Sequence, residues 1–335
     1  MENTIDIRLL SMQDQKDAGC VDFDSIIRTI EEAFTHYHLG SVLLPDKISI
    51  IFNKEVQNRI NCMPSAILDQ GVCGIKWVSV FPDNPHRYGI SNVSGIIILS
   101  ETEKGYPFAV MDGTLITSLR TAAMGAIGAK YLARDTSTTY GTIGAGEQAK
   151  MHFRFIKHTV PSINTCFVSS RTSESENVFI EEMRKDYRDV TFIACNSNYD
   201  IAARDSDIIV SAVSCQKPLL KAECIKEGAY YCHVGGWEDE FFVPLKANKI
   251  VCDNWDALKH RGSPTIARMY SQGLLKDEDI YANIAEIIIG EKEGRTNDKE
   301  FIYFNSIGLS FVDVSVAYSF YNKATEKGLG QVWKM

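Results

Sequence analysis

A glycine-rich turn near the middle of the chain constrains the fold more than any other feature. The β-rich segment Thr139–Ile143 leads directly into residues 144–149 (GAGEQA), which have the spacing G-x-G-x-x-A. The first glycine permits a tight turn, the second lets a phosphate approach the backbone, and the alanine lets the next helix lie close to the sheet. Free N–H groups at a helix N-terminus bind phosphate oxygens. We therefore predict a dinucleotide-binding turn that contacts the cofactor through Gly144, Ala145, Gly146, Glu147 and Gln148.

Strand-like and helical segments alternate after this turn. The later strand-like runs are rich in Val and Ile, and they cover residues 165–169, 190–194, 207–213, 229–234 and 249–253. Helical stretches such as residues 174–186 separate them. Short apolar strands joined by helices are typical of a parallel sheet. We predict an α/β protein with a six-stranded Rossmann domain over roughly residues 137–253.

The flanking segments predict a second region of mixed α+β structure. Residues 24–38 place Ile26, Ile27, Ile30 and Phe34 on one helical face. Residues 115–133 form an Ala- and Gly-rich helix that Asp112 or Thr114 caps. Strand-like runs lie between these helices, and residues 308–325 form a further helix that completes this region.

Charge and hydropathy exclude several classes of partner. The net charge of the 335 residues is −8, and no basic block is present, which argues against nucleic acid. No apolar run approaches the roughly 18–20 residues that span a bilayer. The N-terminus lacks the pattern of a signal peptide, and the nine cysteines form no C-x-x-C pair, so we expect reduced thiols in a cytoplasmic protein.

Histidines give no strong signal for a metal. His36 and His38 are separated by one residue, and His233 stands alone in an apolar run. The chain has neither H-E-x-x-H nor a Cys/His pattern. We expect no metal site and a structural role for His233.

Four basic residues outside the Rossmann segment are candidates for binding a substrate. Lys76 lies in an apolar strand and Arg120 in the Ala-rich helix, whereas Lys47 and Arg59 lie beside strand-like runs. A cation among apolar side chains is costly unless it is paired. A carboxylate is a suitable partner, which Arg binds in bidentate fashion. A structural ion pair or a solvated side chain is the alternative for each.

An acidic run follows the predicted fifth strand. Glu238, Asp239 and Glu240 come directly after Gly235-Gly236-Trp237. Ligands bind at the carboxyl edge of open α/β sheets, where a carboxylate can exchange a proton with an amine or imine. A solvated acidic loop is the alternative. The basic run 259–261 could likewise bind an anion or form a solvated turn.

The end of the second predicted strand bears on the choice of nucleotide. NAD-specific domains usually carry an acid there, which accepts hydrogen bonds from the ribose 2′-OH. This chain has Ser170, Arg171 and Thr172 instead, and Glu174 and Glu176 are expected to face away on the next helix. Arg171 can pair with a 2′-phosphate, or it can stack on the adenine. We predict NADP(H) as the preferred cofactor, with NAD(H) possible.

Several motifs, in this order, resemble the ornithine cyclodeaminase/μ-crystallin family. They are GIKWVS around Lys76, P-x-N-P at 82–85, Ser94-Gly95, Asp112-Gly113, SLRTAA at 118–123, IGxGxQA at 143–149, and Ser306-Ile307-Gly308 with Asp313. The resemblance implies a homodimer in which residues 1–120, completed by 309–335, form a substrate and dimerisation domain. Residues 121–308 would form the Rossmann NAD(P)-binding domain.

The resemblance also implies roles for individual residues. Lys76 and Arg120 would hold the substrate carboxylate, assisted by Lys47, and Arg59 is a further candidate. An acid after the fifth strand would handle the amine proton; Trp237 stands in its usual place, so we favour Asp239, with Glu238 as the alternative. Further contacts to the dinucleotide are assigned to Thr121, Ala212, Val213, Ser214 and Gly308.

The implied activity is hydride transfer at the α-carbon of an amino acid, imino acid or N-substituted amino acid with NAD(P). Ornithine cyclodeaminases carry a Glu where this chain has Asn61. The segments around Arg59, Asn84-Pro85 and residues 93–99 are more similar to the branch that cleaves an amino-carboxyethyl-glutamate. Ammonia-releasing cyclisation and a non-catalytic NADPH-binding protein remain the alternatives.

Overall fold

The computed structural model describes residues 4–53 and 57–335. The chain divides into two compact units. The first comprises the described residues up to Arg120 together with Gly308–Met335, and the second comprises Thr121–Ile307.

Strands and helices alternate along much of the chain. The strands are β1 (Asp6–Leu10), β2 (Val42–Leu43), β3 (Ile48–Asn53), β4 (Asn58–Ile67), β5 (Val72–Val80), β6 (Val93–Glu101), β7 (Pro107–Asp112), β8 (Thr139–Ile143), β9 (Thr165–Ser169), β10 (Thr191–Ala194), β11 (Ile208–Ser211), β12 (Gln216–Leu220), β13 (Tyr230–His233), β14 (Trp237–Asp239), β15 (Lys249–Cys252), β16 (Ala282–Asn283), β17 (Ile302–Asn305) and β18 (Gln331–Lys334). The helices are α1 (Met12–Asp17), α2 (Phe23–His38), α3 (Asn84–Tyr88), α4 (Thr114–Leu132), α5 (Glu147–Thr159), α6 (Ser173–Asp186), α7 (Tyr199–Arg204), α8 (Phe242–Lys246), α9 (Trp255–Lys259), α10 (Thr265–Ser271), α11 (Ile284–Ile288) and α12 (Ser310–Glu326).

A mixed sheet forms the first unit, in the order β18-β1-β7-β6-β5-β4-β2, with β3 also paired to β4. Helix α12 packs on β4, β5 and β6 and against α2. Ile26, Ile27, Ile30 and Phe34 of α2 are buried, which confirms the predicted helical face. Asp112 caps α4 by accepting hydrogen bonds from the N–H groups of residues 114 and 115. These contacts fix α4 and α12 beside the sheet.

A parallel sheet forms the second unit, in the order β10-β9-β8-β11-β13-β17-β15-β16. Its first five strands have the Rossmann order, so the predicted α/β class is confirmed. The prediction of six strands ending at residue 253 is wrong. The chain returns after α11, and β17 inserts between β13 and β15. Hydrophobic periodicity identifies a buried strand but not its neighbours, so the sequence pattern could not show this insertion.

The described helices include none that is long and apolar enough to cross a membrane. Within the same residues, no group of three or more His, Cys, Asp or Glu side chains is arranged to hold a metal ion.

Candidate functional site

The glycine-rich turn joins β8 to α5 and packs against the loop after β11. Gly144 has a φ of +111°, a conformation that L side chains rarely adopt. A Cβ at Gly144 would meet the carbonyl oxygen of Ala212 at 2.8 Å and Cγ1 of Val213 at 2.9 Å. The N–H of Ala212 donates to the carbonyl of Ile143 over 3.0 Å. The fold thus brings Ala212 and Val213 to the turn, while Ser214 follows them in the same loop.

The turn also leaves room for an anionic ligand. A Cβ at Gly146 would meet no described atom within 4 Å. Gly146 is the N-cap of α5, and no side chain of the described residues caps this helix. Uncapped N–H groups and the positive end of the helix dipole suit a phosphate. Glu147 is exposed and Gln148 half-buried, so residues 144–148 fit the pyrophosphate of a dinucleotide.

The end of β9 presents short polar side chains and a cation. Ser170 is half-buried, and Arg171 and Thr172 lie on the same surface segment. Thr172 caps α6, because its hydroxyl accepts from the N–H of Ser175 at 3.3 Å. The segment is thus held by its cap, and Arg171 is exposed beside it.

Glu176 does not face away, contrary to the expectation from the sequence. Its side chain is wholly buried. Its carboxylate accepts from the N–H groups of Ser170 at 2.9 Å, Asn196 at 2.9 Å and Ser197 at 2.7 Å. A buried carboxylate needs such donors, and the turns after β9 and β10 supply them. The negative charge is therefore satisfied inside the fold.

A buried ion-pair cluster lies between the sheet and α12 of the first unit. Lys76 Nζ lies 2.7 Å from Asp313 Oδ1, and Arg120 Nε lies 2.9 Å from the same oxygen. Lys76, Arg120 and Asp313 are 1%, 7% and 0% exposed. Asp313 Oδ2 has no hydrogen-bond partner among the described residues. Two cations thus share one carboxylate, which leaves a net positive charge available for an anionic ligand.

Burial and, to a smaller extent, the neighbouring Arg120 lower the pKa of Lys76 to about 8, while Asp313 opposes the change. The ammonium form still predominates at pH 7. Gly308 lies against Arg120, since a Cβ there would overlap the guanidinium. The structure therefore places Gly308 beside the carboxylate-binding candidate, and its contact with a cofactor stays a prediction, as does that of Thr121.

The other two basic candidates lie in the same unit. Arg59 and Lys76 lie on neighbouring strands, because β4 and β5 pair in continuous register. The Arg59 guanidinium donates to the carbonyl of Gln57 at 2.9 Å, and burial lowers its pKa. Lys47 is half-buried just before β3. Their contact with a substrate stays a prediction.

Glu238 and Asp239 are wholly buried within the second unit rather than in a solvated loop. Glu238 accepts from the Ser211 hydroxyl at 2.6 Å and from the N–H groups of Val213 at 2.7 Å and Gly235 at 3.0 Å. Burial raises its pKa to about 7. The loops after β11 and β13 are thus held by one carboxylate.

Asp239 lies in a separate set of contacts. It accepts from the Thr265 hydroxyl at 2.8 Å and lies 3.3 Å from His233 Nε2. Burial raises its pKa well above the usual value, and burial lowers the pKa of His233 to about 4. His233 is therefore neutral at pH 7, as a structural histidine would be.

Sequence reasoning missed the roles of Asp313 and Ser211. Asp313 is the one acid within the apolar run FVDVSV, which is the signal that could have indicated a buried partner for a cation. Ser211 ends a strand without any distinguishing pattern. Only the fold brings it to Glu238.

Comparison with known proteins agrees with this arrangement. The model of the ornithine cyclodeaminase/mu-crystallin family matches residues 12–328. The chain belongs to this family. The resemblance inferred from the motifs is confirmed.

Two curated relatives extend over nearly the whole chain. Alanine dehydrogenase of Archaeoglobus fulgidus is 34% identical over 92% of this chain and 93% of its own. N-((2S)-2-amino-2-carboxyethyl)-L-glutamate dehydrogenase of Staphylococcus aureus is 28% identical over 96% of each.

Two solved structures are similar to this chain over nearly its whole length. The Δ1-pyrroline-2-carboxylate reductase of Thermococcus litoralis, in complex with NADH and L-proline, superimposes with a TM-score of 0.90 and 29% identity, covering 97% of this chain and 99% of that one. An archaeal alanine dehydrogenase dimer with bound NAD has a TM-score of 0.89 and 32% identity, covering 99% of this chain and 100% of that one. Both neighbours bind NAD(H).

Proposed function

We propose that this protein is an NAD(P)-dependent oxidoreductase that acts on the C–N bond of an amino acid, imino acid or N-substituted amino acid. The observation that carries the proposal is the buried pair of cations, Lys76 and Arg120, which share the single carboxylate of Asp313. A substrate carboxylate supplies the missing negative charge. The relatives that bear the family motifs are dehydrogenases and reductases of such substrates.

Different residues have different roles in the proposed reaction. A bound nicotinamide would supply the hydride donor or acceptor for the substrate α-carbon. In the oxidative direction the α-carbon would lose a hydride and the amine a proton, so that the C–N single bond becomes an imine. Arg120 orients the carboxylate, and residues 144–148 hold the pyrophosphate. Lys76, whose pKa of about 8 is near the working range, holds or releases the proton. Asp239, which the sequence favoured for this role, is the second candidate.

Turnover tests the proposal directly. We expect a substrate-dependent change in the nicotinamide absorbance band with at least one member of a panel containing alanine, proline, Δ1-pyrroline-2-carboxylate and N-substituted glutamates. Tight dinucleotide binding without turnover of any amino or imino acid would favour the non-catalytic alternative.

Ornithine cyclisation is disfavoured, because buried Asn61 accepts a hydrogen bond from Ser49 at 2.8 Å and carries no charge that could bind a side-chain ammonium.

For the cofactor, we propose a preference for NADP(H) over NAD(H). The support is the exposed Arg171 between Ser170 and Thr172, together with the burial of Glu176 away from any ligand. Arg171→Ala should weaken NADPH binding by about 10–150-fold, the effect of losing one charge-assisted hydrogen bond. NADH binding should hardly change. Fluorescence titration measures both, and equal wild-type affinity for the two nucleotides would contradict the preference.

We also propose that the protein is a homodimer whose interface is an apolar face of the first sheet. This outer face is the side of the sheet opposite Lys76, and its exposed members are Ile48, Ile50, Trp77, Ile96 and Ile98. Ile48, Cys62, Trp77 and Ile96 are successive partners across β3, β4, β5 and β6, so they form one continuous row. Exposed patches of this kind are rare on monomers. A second copy is the occupant, since the archaeal alanine dehydrogenase is described as a dimer.

Trp77→Asp should convert the dimer to a monomer, because it places a charge at the centre of the outer face. Light scattering after size exclusion should then give 37.5 kDa instead of twice this mass. Val178→Asp, at an exposed apolar residue of α6, is the control and should stay dimeric. A wild-type monomer at micromolar concentration would exclude this interface.

The nine cysteines form no disulfide bonds, which supports a cytoplasmic location.

A further inference from the structure

Glu238 occupies a position from which it determines the shape of the dinucleotide cleft. Its carboxylate joins the loop after β11, through Ser211 and Val213, to the loop after β13, through Gly235. Gly235 must lack a side chain, because a Cβ there would overlap the Glu238 carboxylate. Both loops lie at the carboxyl edge of the parallel sheet, where such sheets bind ligands.

The first of these loops is in turn one wall of the glycine-rich turn. Ala212 donates to Ile143, and Ala212 and Val213 contact the backbone at Gly144. A shift of Val213 therefore moves the surface against which Gly144 is packed. Val213 thus links Glu238 to the glycine-rich turn.

We propose that Glu238 is a positioning residue for the dinucleotide, which in its charged form holds Val213 and the loop after β11 against the glycine-rich turn. This inference rests on the proposed function only in so far as the turn binds a dinucleotide. It replaces the proton-transfer role that its place in the sequence suggested for Glu238. Its carboxylate is wholly buried and accepts hydrogen bonds from three donors of the protein, which favours a structural role over proton exchange with a substrate amine.

The proposal makes dinucleotide affinity dependent on pH. The pKa of Glu238 is about 7, because burial raises it while the bonds from Ser211, Val213 and Gly235 oppose the rise. Below this pH one oxygen carries a proton, and it can no longer accept from every N–H group. Affinity should therefore fall as pH falls through about 7 and be constant above about 8.

Other titratable groups face Glu238 and must be separated from it. They are Asp239, His233, Tyr231, Tyr303, Cys215 and Cys232. Burial raises the pKa of Tyr303 well above its usual value and that of Cys232 to about 12, so neither titrates near pH 7. Neutral His233 has a pKa of about 4, burial raises the pKa of Cys215 to about 11, and burial raises the pKa of Tyr231 well above its usual value. Asp239 also has a raised pKa, so it needs a variant of its own.

The experiment is titration of the intact protein with NADH between pH 6 and 9, because NADH lacks the 2′-phosphate that itself titrates near pH 6. The wild-type Kd should rise several-fold, to a limit of about tenfold, from pH 8 to pH 6, because one group with a pKa of about 7 takes up one proton. Glu238→Gln should bind NADH at pH 8 as weakly as the wild type does at pH 6, without pH dependence. Half-buried Glu240 is the control, and Glu240→Gln should keep the wild-type curve. Asp239→Asn tests whether buried Asp239 is instead the source of the pH dependence, which should persist in this variant.

Ser211→Ala provides a second variant that retains the carboxylate. Because the Ser211 hydrogen bond favours the charged form, its loss should move the midpoint of the curve to higher pH. A flat wild-type curve, a Glu238→Gln curve like that of the wild type, or a pH dependence that Asp239→Asn removes would each overturn the proposal. If neither NADH nor NADPH bound at any pH, the proposed function would be contradicted instead.

Discussion

Replacing Asp313 by Ala should destabilise the protein by about 3–5 kcal/mol, the range measured when one partner of a buried ion pair is removed. The substitution leaves Lys76 and Arg120, both almost fully buried, without the carboxylate that they share. Two desolvated cations then repel each other. Urea denaturation, followed by circular dichroism, measures the change in the free energy of unfolding.

The destabilisation should also depend on pH, with a definite sign. The folded-state pKa of Lys76 is already about 8, below its ordinary value of 10.5, and it should fall further without Asp313. Below that pKa the folded protein must carry the unpaired ammonium; above it Lys76 is neutral in the fold. The loss of stability should therefore be larger at pH 6 than at pH 9.

A partly exposed His–Asp contact in the same unit provides the control. His36 Nδ1 lies 2.6 Å from Asp69, whose side chain is 41% exposed. Asp69→Ala should cost about 1 kcal/mol or less, because solvent screens such pairs. A comparable decrease in the free energy of unfolding for Asp69→Ala and Asp313→Ala would show that the buried cluster contributes no more to stability than the exposed contact.

Replacing Arg120 by Ala should lower kcat/KM for the carboxylate substrate by about 30–1000-fold, equivalent to about 2–4 kcal/mol of lost binding to a desolvated anion. The fold should survive, since Lys76 and Asp313 remain as a one-to-one pair at 2.7 Å. Dinucleotide affinity should hardly change, because the pyrophosphate is assigned to residues 144–148 and not to Arg120. Steady-state kinetics with the substrate identified from the panel, together with NADH titration, measures both.

Arg120→Lys separates charge from geometry. It keeps the positive charge but cannot bind a carboxylate in bidentate fashion, so it should recover only part of the lost kcat/KM. Equal losses of substrate turnover and dinucleotide affinity in Arg120→Ala would instead indicate a structural role for this arginine.

Local chemistry made several features predictable from the sequence. A turn that lets a phosphate approach the backbone requires glycines at fixed spacing, so residues 144–149 predict such a turn without knowledge of the tertiary structure. Helical periodicity placed the buried residues of α2, and a cation inside an apolar strand identified Lys76 as a residue that needs a partner. These inferences depend on residues that are close together in the chain.

Contacts between distant residues were decided by the tertiary structure. Lys76 and Asp313 are 237 positions apart, and Arg120 and Asp313 are 193 apart, so no local pattern indicates that they share one ion pair. Glu176 and Glu238 looked like solvated acids because polar neighbours surround them in sequence, yet both are wholly buried. Their backbone donors come from loops that only the sheet brings together.

The sequence by itself therefore determined the α/β class, the glycine-rich turn between β8 and α5 and the need of the cations at positions 76 and 120 for a partner, because each follows from local spacing or from the cost of burying a charge. The tertiary structure alone decided the insertion of β17 between β13 and β15 and the partner of those cations. It also decided the enclosure of Glu238. The physical reason is that strand order and buried hydrogen bonds depend on which distant segments pack together, which hydrophobic patterning does not specify.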